Sequence, residues 1–279
     1  MFTENAVCER CKGGNYLQAI KHHCFTASFA GNALGAFEMG MTKLAQSYEK
    51  TVQRFLCPSQ FMRDKMVEWG EPPSKFDVLP NPMDVSTELA PIDGGYALYI
   101  GRISEEKGID ILIRAMALLP KVPLKIVGTG RDDGRLKGIV KELRASNIEF
   151  LGFKHGAELT QIRRRAMFVA VPSIWYENAP YSILEPQADG VPVIGSRIGG
   201  IPEMIIDGKR GWLTEAKNVV DWATRIRSIV SLTIDQRRDI AKNAYEIIEK
   251  NRSWSHHAQL VEQAYARARE GLTERASRG

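Results

Sequence analysis

Two carboxylates eight residues apart, Glu177 and Glu185, bracket the stretch WYENAPYSILE. A carboxylate accepts from two neighbouring hydroxyls at once, so this pair has the chemistry to hold two diols, one of a hexose and one of a ribose. Pro180 lies between them at a position favoured for a first helical residue, with Asn178 as its candidate cap. The free N–H groups of such a helix start point toward an anion or a sugar hydroxyl. Further upstream, GRISEEKG supplies Gly101, where backbone can approach a ligand closely, Arg102, whose planar fork suits phosphate, and Lys107, a point charge. Together Arg102 and Lys107 can neutralise a diphosphate without a metal. Each element also has a plainer reading. Arg102, Glu105, Glu106 and Lys107 can form a solvated ion-pair cluster, and Glu177 can cap a helix while Glu185 faces water. Against a fully wet face, Glu185 is embedded beside Ile183 and Leu184.

These residues have to be positioned by something, and the chain from Tyr96 onward supplies it. Short apolar runs (YALYI, LKIVG, IEFLG, MFVAVP, PVIGS) alternate with helical patterns such as GIDILIRAMALL, RLKGIVKELRAS and ELTQIRRRA. That alternation predicts an α/β fold, a Rossmann-like doubly wound parallel sheet with helices on both faces. In such a sheet ligands bind beyond the carboxyl ends of the strands. Gly101 and Arg102 follow the first strand, Gly128 and Gly130 the second, Phe153 and Lys154 the third. WYENAPYSILE follows the fourth and SRIGGIPE the fifth, so every unusual cluster falls on one edge. Gly128–Gly130 also reads as a tight turn. Gly199 and Gly200 read as an anion cradle or as a helix start, with Pro202 opening that helix and Glu203 capping it. Three helices are expected at the end, over about Val219–Ser231, Asp235–Asn251 and Trp254–Glu270.

The first part of the chain reads differently. A long helix is expected from about Phe25 to Thr51, then a short strand over Arg54–Ser59 and a helix over Gln60–Trp69. VLPNPMDV and LAPIDGG are rich in linker residues. The expected division is an N-terminal domain over 1–85, a linker over 86–95 and a Rossmann-like domain over 96–279, with the C-terminal helix packing back on the N-terminal part. Cys8 and Cys11 have the CxxC spacing that suits zinc, with Cys24 a third candidate ligand and His22 and His23 nearby. The alternative is reduced cysteines in a loop. Cys57 reads as a buried, inert thiol.

The chain has 279 residues, 44% hydrophobic and 25% charged, with a net charge of +5. This is ordinary globular composition, and its mild basic excess is consistent with phosphate-bearing ligands or an anionic membrane surface. No apolar run approaches the roughly 20 residues of a membrane-spanning helix. MFTENAVCERC lacks the pattern of a secretory signal, and four cysteines give no disulfide framework, so a cytoplasmic location is expected. The helix ALGAFEMGMTKLAQSYEKTVQRF faces a core or rests peripherally on the inner membrane surface.

In combination, GRISEEKG and YENAPYSILEPQADGVPVIGSRIGGIPEMI resemble the GR…KG and glutamate-x7-glutamate elements of family-four glycosyltransferases, the retaining enzymes of the GT-B fold. The resemblance covers the donor-binding half, from about Gly94 to Glu270, and VLPNPMD resembles the hinge between the two halves. It implies a retaining transfer of a sugar from a UDP- or GDP-sugar to a sugar or lipid-linked acceptor, as in polysaccharide biosynthesis, with no metal at the donor site and no nucleic-acid partner. Arg102 and Lys107 would bind the diphosphate and stabilise the leaving group, Glu177 would contact the donor sugar, and Glu185 would hold the ribose. Backbone around Ala179, Pro180, Tyr181 and Ser182 would meet sugar or phosphate oxygens. Gly101, Gly128 and Phe153 complete the expected donor site. The first 90 or so residues resemble only the last part of the family's N-terminal domain, without its early strands or acceptor-side histidine. The expectation is therefore an incomplete N-terminal α/β domain, completed by a second chain or by self-association. The alternatives are a non-catalytic or partner-dependent nucleotide-sugar-binding subunit, or another GT-B enzyme such as an epimerase.

Overall fold

The computed structural model describes Phe2, Thr3 and residues 6–276. It separates into two compact units, one of residues 1–80 with 257–279, the other of residues 81–256.

In the first unit, β1 (Phe2–Thr3) and β2 (Ala6–Val7) form an antiparallel pair. They are followed by α1 (Leu17–Lys21), α2 (Phe29–Leu44), α3 (Ser47–Thr51), β3 (Phe55–Cys57), α4 (Gln60–Glu68) and β4 (Phe76–Val78). The long helix expected from about Phe25 to Thr51 is in fact two. Ser28 starts α2 by accepting from the Gly31 N–H, and Gln46, in the left-handed region at φ 52°, breaks the chain before α3. Strand β3 pairs with β4 in parallel, with the rings of Phe55 and Phe76 stacked 5.1 Å apart. Asp77 on β4 accepts from Arg54 at 2.7 Å and from Arg267 at 2.9 Å. The second of these comes from α12 (Trp254–Ala276), so the last stretch of chain is fastened to this unit, where Ala264 is buried. Cys57 is buried, which raises its thiol pKa. Cys8, Cys11 and Cys24 line one small apolar cavity with Phe25, Met39 and Trp69. Among the described residues no three His, Cys, Asp or Glu side chains are arranged to hold a metal ion.

The second unit is built on six parallel strands: β5 (Ala97–Ile100), β6 (Leu124–Val127), β7 (Ile148–Gly152), β8 (Phe168–Val171), β9 (Val193–Ser196) and β10 (Trp212–Thr214). Their order is β10-β9-β8-β5-β6-β7. The expected α/β doubly wound sheet is present, with one strand more than the five apolar runs, the three-residue β10. Along β5, Ala97 and Tyr99 pack on one face, and Leu98 and Ile100 on the other. Phe168 and Ala170 alternate with Val169 and Val171 in the same way on β8. Burial on both faces is why these strands read as continuous apolar runs. One layer holds α5 (Ile109–Ala117), α6 (Asp133–Glu142) and α10 (Val219–Ser231), whose Trp222 is fully buried. The other includes α8 (Tyr181–Asp189) and α11 (Ile234–Asn251). A capping box between Thr233 and Gln236 starts α11. The connection from β7 to β8 carries α7 (Gly156–Arg165), and that from β9 to β10 carries α9 (Ile201–Met204). Among the described residues no helix is long and apolar enough to cross a membrane.

Candidate functional site

Strands β5 and β8 are sheet neighbours, but the chain leaves them in opposite directions, toward β6 on one side and β9 on the other. This is the topological switch point of the sheet, where a crevice opens beyond the strand ends. A cleft of about 420 Å³ lies there, lined by Gly101 and Arg102 after β5, Ser173 and Glu177 after β8, and Pro180 to Ser182 at the start of α8. Lys107 also reaches it. That lysine sits in a 3₁₀ turn, Glu105–Lys107, before α5 rather than in the helix itself.

Within the cleft, Oε1 of Glu177 accepts from Lys107 Nζ at 2.6 Å and from the Ser173 hydroxyl at 2.7 Å. The backbone carrying Glu177 is braced by the turn after β9, because Gly200 N–H donates to the Glu177 carbonyl at 2.7 Å. A Cβ on Gly200 would lie 2.0 Å from the Asn178 carbonyl oxygen, so only glycine allows this approach. The second glycine turn therefore serves to hold the first glutamate in place.

Arg102 is 69% exposed and is held by a 2.8 Å ion pair to Glu106. The Glu106 carboxylate also takes the Ser104 hydroxyl at 2.7 Å and Arg131 at 3.3 Å. Burial pushes its pKa up, but the Ser104 hydroxyl, a backbone N–H and the two guanidiniums together outweigh that and lower it. Behind them the Tyr99 hydroxyl donates to the Arg102 carbonyl at 2.9 Å. Burial, then the Glu177 and Glu106 carboxylates, push this phenol far above its ordinary range.

Helix α8 begins at Tyr181, with Pro180 in the cap position and no side chain capping it. The cap position expected for Asn178 is taken by Pro180. The Ile183 and Leu184 N–H groups both reach the Pro180 carbonyl, at 3.0 and 3.3 Å, which leaves the Tyr181 and Ser182 amides at the open end. Pro186 inside the helix has no N–H for the Ser182 carbonyl one turn back. The positive end of a helix thus opens on the same cleft as Arg102 and Lys107.

A second cleft of about 330 Å³ adjoins the first and shares Ile100, Gly101 and Arg102 with it. Its further wall is mostly apolar, from Val127, Gly128, Phe153 and Leu159. The Phe153 ring is 69% exposed and stacks on His155 at 5.8 Å, offering a flat face to an aromatic ligand. Gly128 has a further reason to be glycine. Its φ is 137°, and a Cβ there would meet the Gly101 carbonyl oxygen at 1.9 Å, so it lets the β6 turn pack on the β5 turn.

Of the residues singled out in the sequence, the structure brings Gly101, Arg102, Lys107, Glu177, Pro180, Tyr181 and Ser182 into the first cleft and Gly128 and Phe153 into the second. Ala179 is buried, and its carbonyl accepts from the Asn81 side chain. Glu185 lies one turn further along α8, outside both linings, and is held by Arg163 at 2.6 Å. Cys8, Cys11 and Cys24 belong to the other unit. Glu106 lies within GRISEEKG and makes the ion pair with Arg102 that the sequence allowed, whereas Ser173, Arg131 and Arg163 carry none of the motif signal. Ser173, directly after the apolar strand and its proline, was the most legible of them.

Residues 87–247 match the sequence profile of the family described as Glycosyl transferases group 1. The D-inositol 3-phosphate glycosyltransferase of Mycolicibacterium smegmatis is 32% identical over 184 residues, which is 64% of this chain and 41% of that protein. An uncharacterized glycosyltransferase of Methanocaldococcus jannaschii is 28% identical over 76% of this chain and 59% of its own length. The chain thus spans between 41% and 59% of these relatives. Among solved structures, Anabaena HepE in complex with UDP-glucose superposes with a TM-score of 0.72 at 22% identity, over 85% of this chain and 68% of that one. The C-terminal domain of a Francisella tularensis glycosyl transferase group 1 family protein superposes with a TM-score of 0.53 at 24% identity, over 61% of this chain and 96% of that one. These likenesses show the fold of the GT-B glycosyltransferases.

Proposed function

The chain belongs to the glycosyl transferases group 1 family, and from that premise we propose that its second unit binds a nucleoside diphosphate sugar for retaining transfer to a sugar or lipid-linked acceptor. The observation that carries this reading is the convergence, at the switch point of the sheet, of Arg102, Lys107, Glu177 and the open amides of α8 on one cleft. In this arrangement the diphosphate takes Arg102, Lys107 and the helix start. The sugar lies against Glu177 and the Ser173 hydroxyl. The base occupies the adjoining apolar cleft against Phe153, and the ribose lies toward Glu185. HepE, solved with UDP and with UDP-glucose, supports a uridine nucleotide.

Bond breaking between the sugar and the diphosphate builds negative charge on the departing oxygen. Fixed cations and backbone dipoles aimed at that oxygen stabilise the charge with little reorganisation. Lys107 is suited to this because the Glu177 carboxylate holds it in the cleft. In this reading Arg102, Lys107 and the helix start hold the diphosphate without a divalent ion.

Calorimetric titration of uridine diphosphate in excess chelator tests the assignment. Saturable binding is expected, and Lys107→Ala should weaken it by about tenfold or more, the loss of a charge-assisted hydrogen bond. Unchanged affinity in a folded Lys107→Ala protein, or binding that requires magnesium, contradicts the site. Binding and transfer are separate claims, because the chain spans about half of its relatives' length. Proton NMR of a glycoside formed from a UDP-sugar reports retention directly through its anomeric coupling.

A further inference from the structure

Glu185 and Asp189 stand one turn apart on α8, and two carboxylates in that relation repel each other. Arg163, in the last turn of α7, lies between them. Its Nη1 donates to Glu185 Oε2 and its Nε to Asp189 Oδ2, both at 2.6 Å. The three side chains differ sharply in exposure. Arg163 is 10% exposed and Asp189 7%, whereas Glu185 is 37% exposed. Asp189 is fully occupied, since it also accepts from the Ser86 hydroxyl and has Arg164 at 3.6 Å. For Glu185, nothing among the described residues donates to Oε1.

A guanidinium buried to this degree is costly unless both prongs are matched, and Asp189 alone matches one. The second prong fixes the orientation of a half-exposed carboxylate and leaves its other oxygen facing out. We propose that Arg163 is a positioning residue for ligand binding. By pinning one oxygen of Glu185 it aims the other at the ribose diol of the nucleotide, with Asp189 as the buried counterion that keeps the guanidinium in register. The inference rests on the reading of Glu185 as the ribose acceptor. The other role open to such a triad is a helix clamp, in which Arg163 ties α7 to α8 and affects every ligand alike or none.

The two roles separate when uridine diphosphate is compared with its 2′,3′-dideoxy analogue, which lacks the diol but keeps base and diphosphate. Glu185→Ala should weaken uridine diphosphate by about tenfold and the dideoxy analogue by less than about twofold. Arg163→Lys keeps the charge but cannot present a planar fork to two carboxylates. It should weaken uridine diphosphate by about fivefold, again sparing the analogue, and the double variant should be no worse than Glu185→Ala alone. If Arg163→Lys does not fold, Arg163→Met/Asp189→Leu removes the buried pair together, and the same selective loss is expected. Equal losses on both nucleotides in the Arg163 variants, or no loss beside a selective Glu185→Ala, overturn the inference alone. An unselective Glu185→Ala overturns the reading of Glu185 and the inference with it.

Discussion

Lys107 and Glu177 are each other's counterion, so neither can be removed without leaving a half-buried charge beside the proposed diphosphate position. Glu177→Gln keeps the shape and the hydrogen bond to Ser173 while removing the charge nearest the proposed sugar position. Transfer, or donor hydrolysis where no acceptor is supplied, should fall by about 10² or more, the cost of losing an electrostatic group at a reacting centre. Affinity for bare uridine diphosphate should hold or rise, because Lys107 is then released to the phosphates. Parallel calorimetry and turnover assays decide this. Turnover equal to the unaltered protein means that Glu177 only holds Lys107, and a large loss of bare-nucleotide affinity means that it only supports the loop.

The short elements are where sequence and structure part. Strands β5, β6, β8 and β9 were legible because they are buried on both faces, and the part-buried edge strand β7 through its apolar Ile148, Phe150 and Leu151. Strand β10 was not, because Trp212–Thr214 is three residues long and shows no period. The helix over Phe25–Thr51 read as continuous because nothing in its composition marks Gln46 as left-handed. Arg102, Lys107 and Glu177 were found through motif spacing, whereas Arg163 was hidden in a run of three arginines. Its phase was the available signal, since it follows Leu159 by four residues and Ile162 by one, on the face that packs inward. The turn after β9 offers a direct test of element-level bracing. Gly200→Ala sets a methyl 2.0 Å from the Asn178 carbonyl, so the Glu177 loop has to move. Overpacking of this kind costs about 1–3 kcal/mol. Urea unfolding should show that loss, and nucleotide binding measured well below the transition should still be weaker. Full stability with full affinity shows that the turn yields freely and does not brace the glutamate.

At the scale of the molecule, every residue assigned to the nucleotide falls within residues 81–256. That segment by itself should unfold cooperatively and bind uridine diphosphate within about threefold of the whole chain, a difference under about 1 kcal/mol. A folded segment that binds tenfold or more weakly shows that the first unit contributes to the site. The first unit is discontinuous, with Arg267 of the last helix fastened to Asp77 of the fourth strand. On a ribosome this fixes an order of assembly. The second unit has its full sequence once residue 256 is made, whereas residues 1–80 wait for residues 257–279, 23 residues that take about 1–5 s at usual elongation rates. During that interval residues 1–80 still lack their partner helix, and chaperones that guard unfinished apolar surface would meet them there.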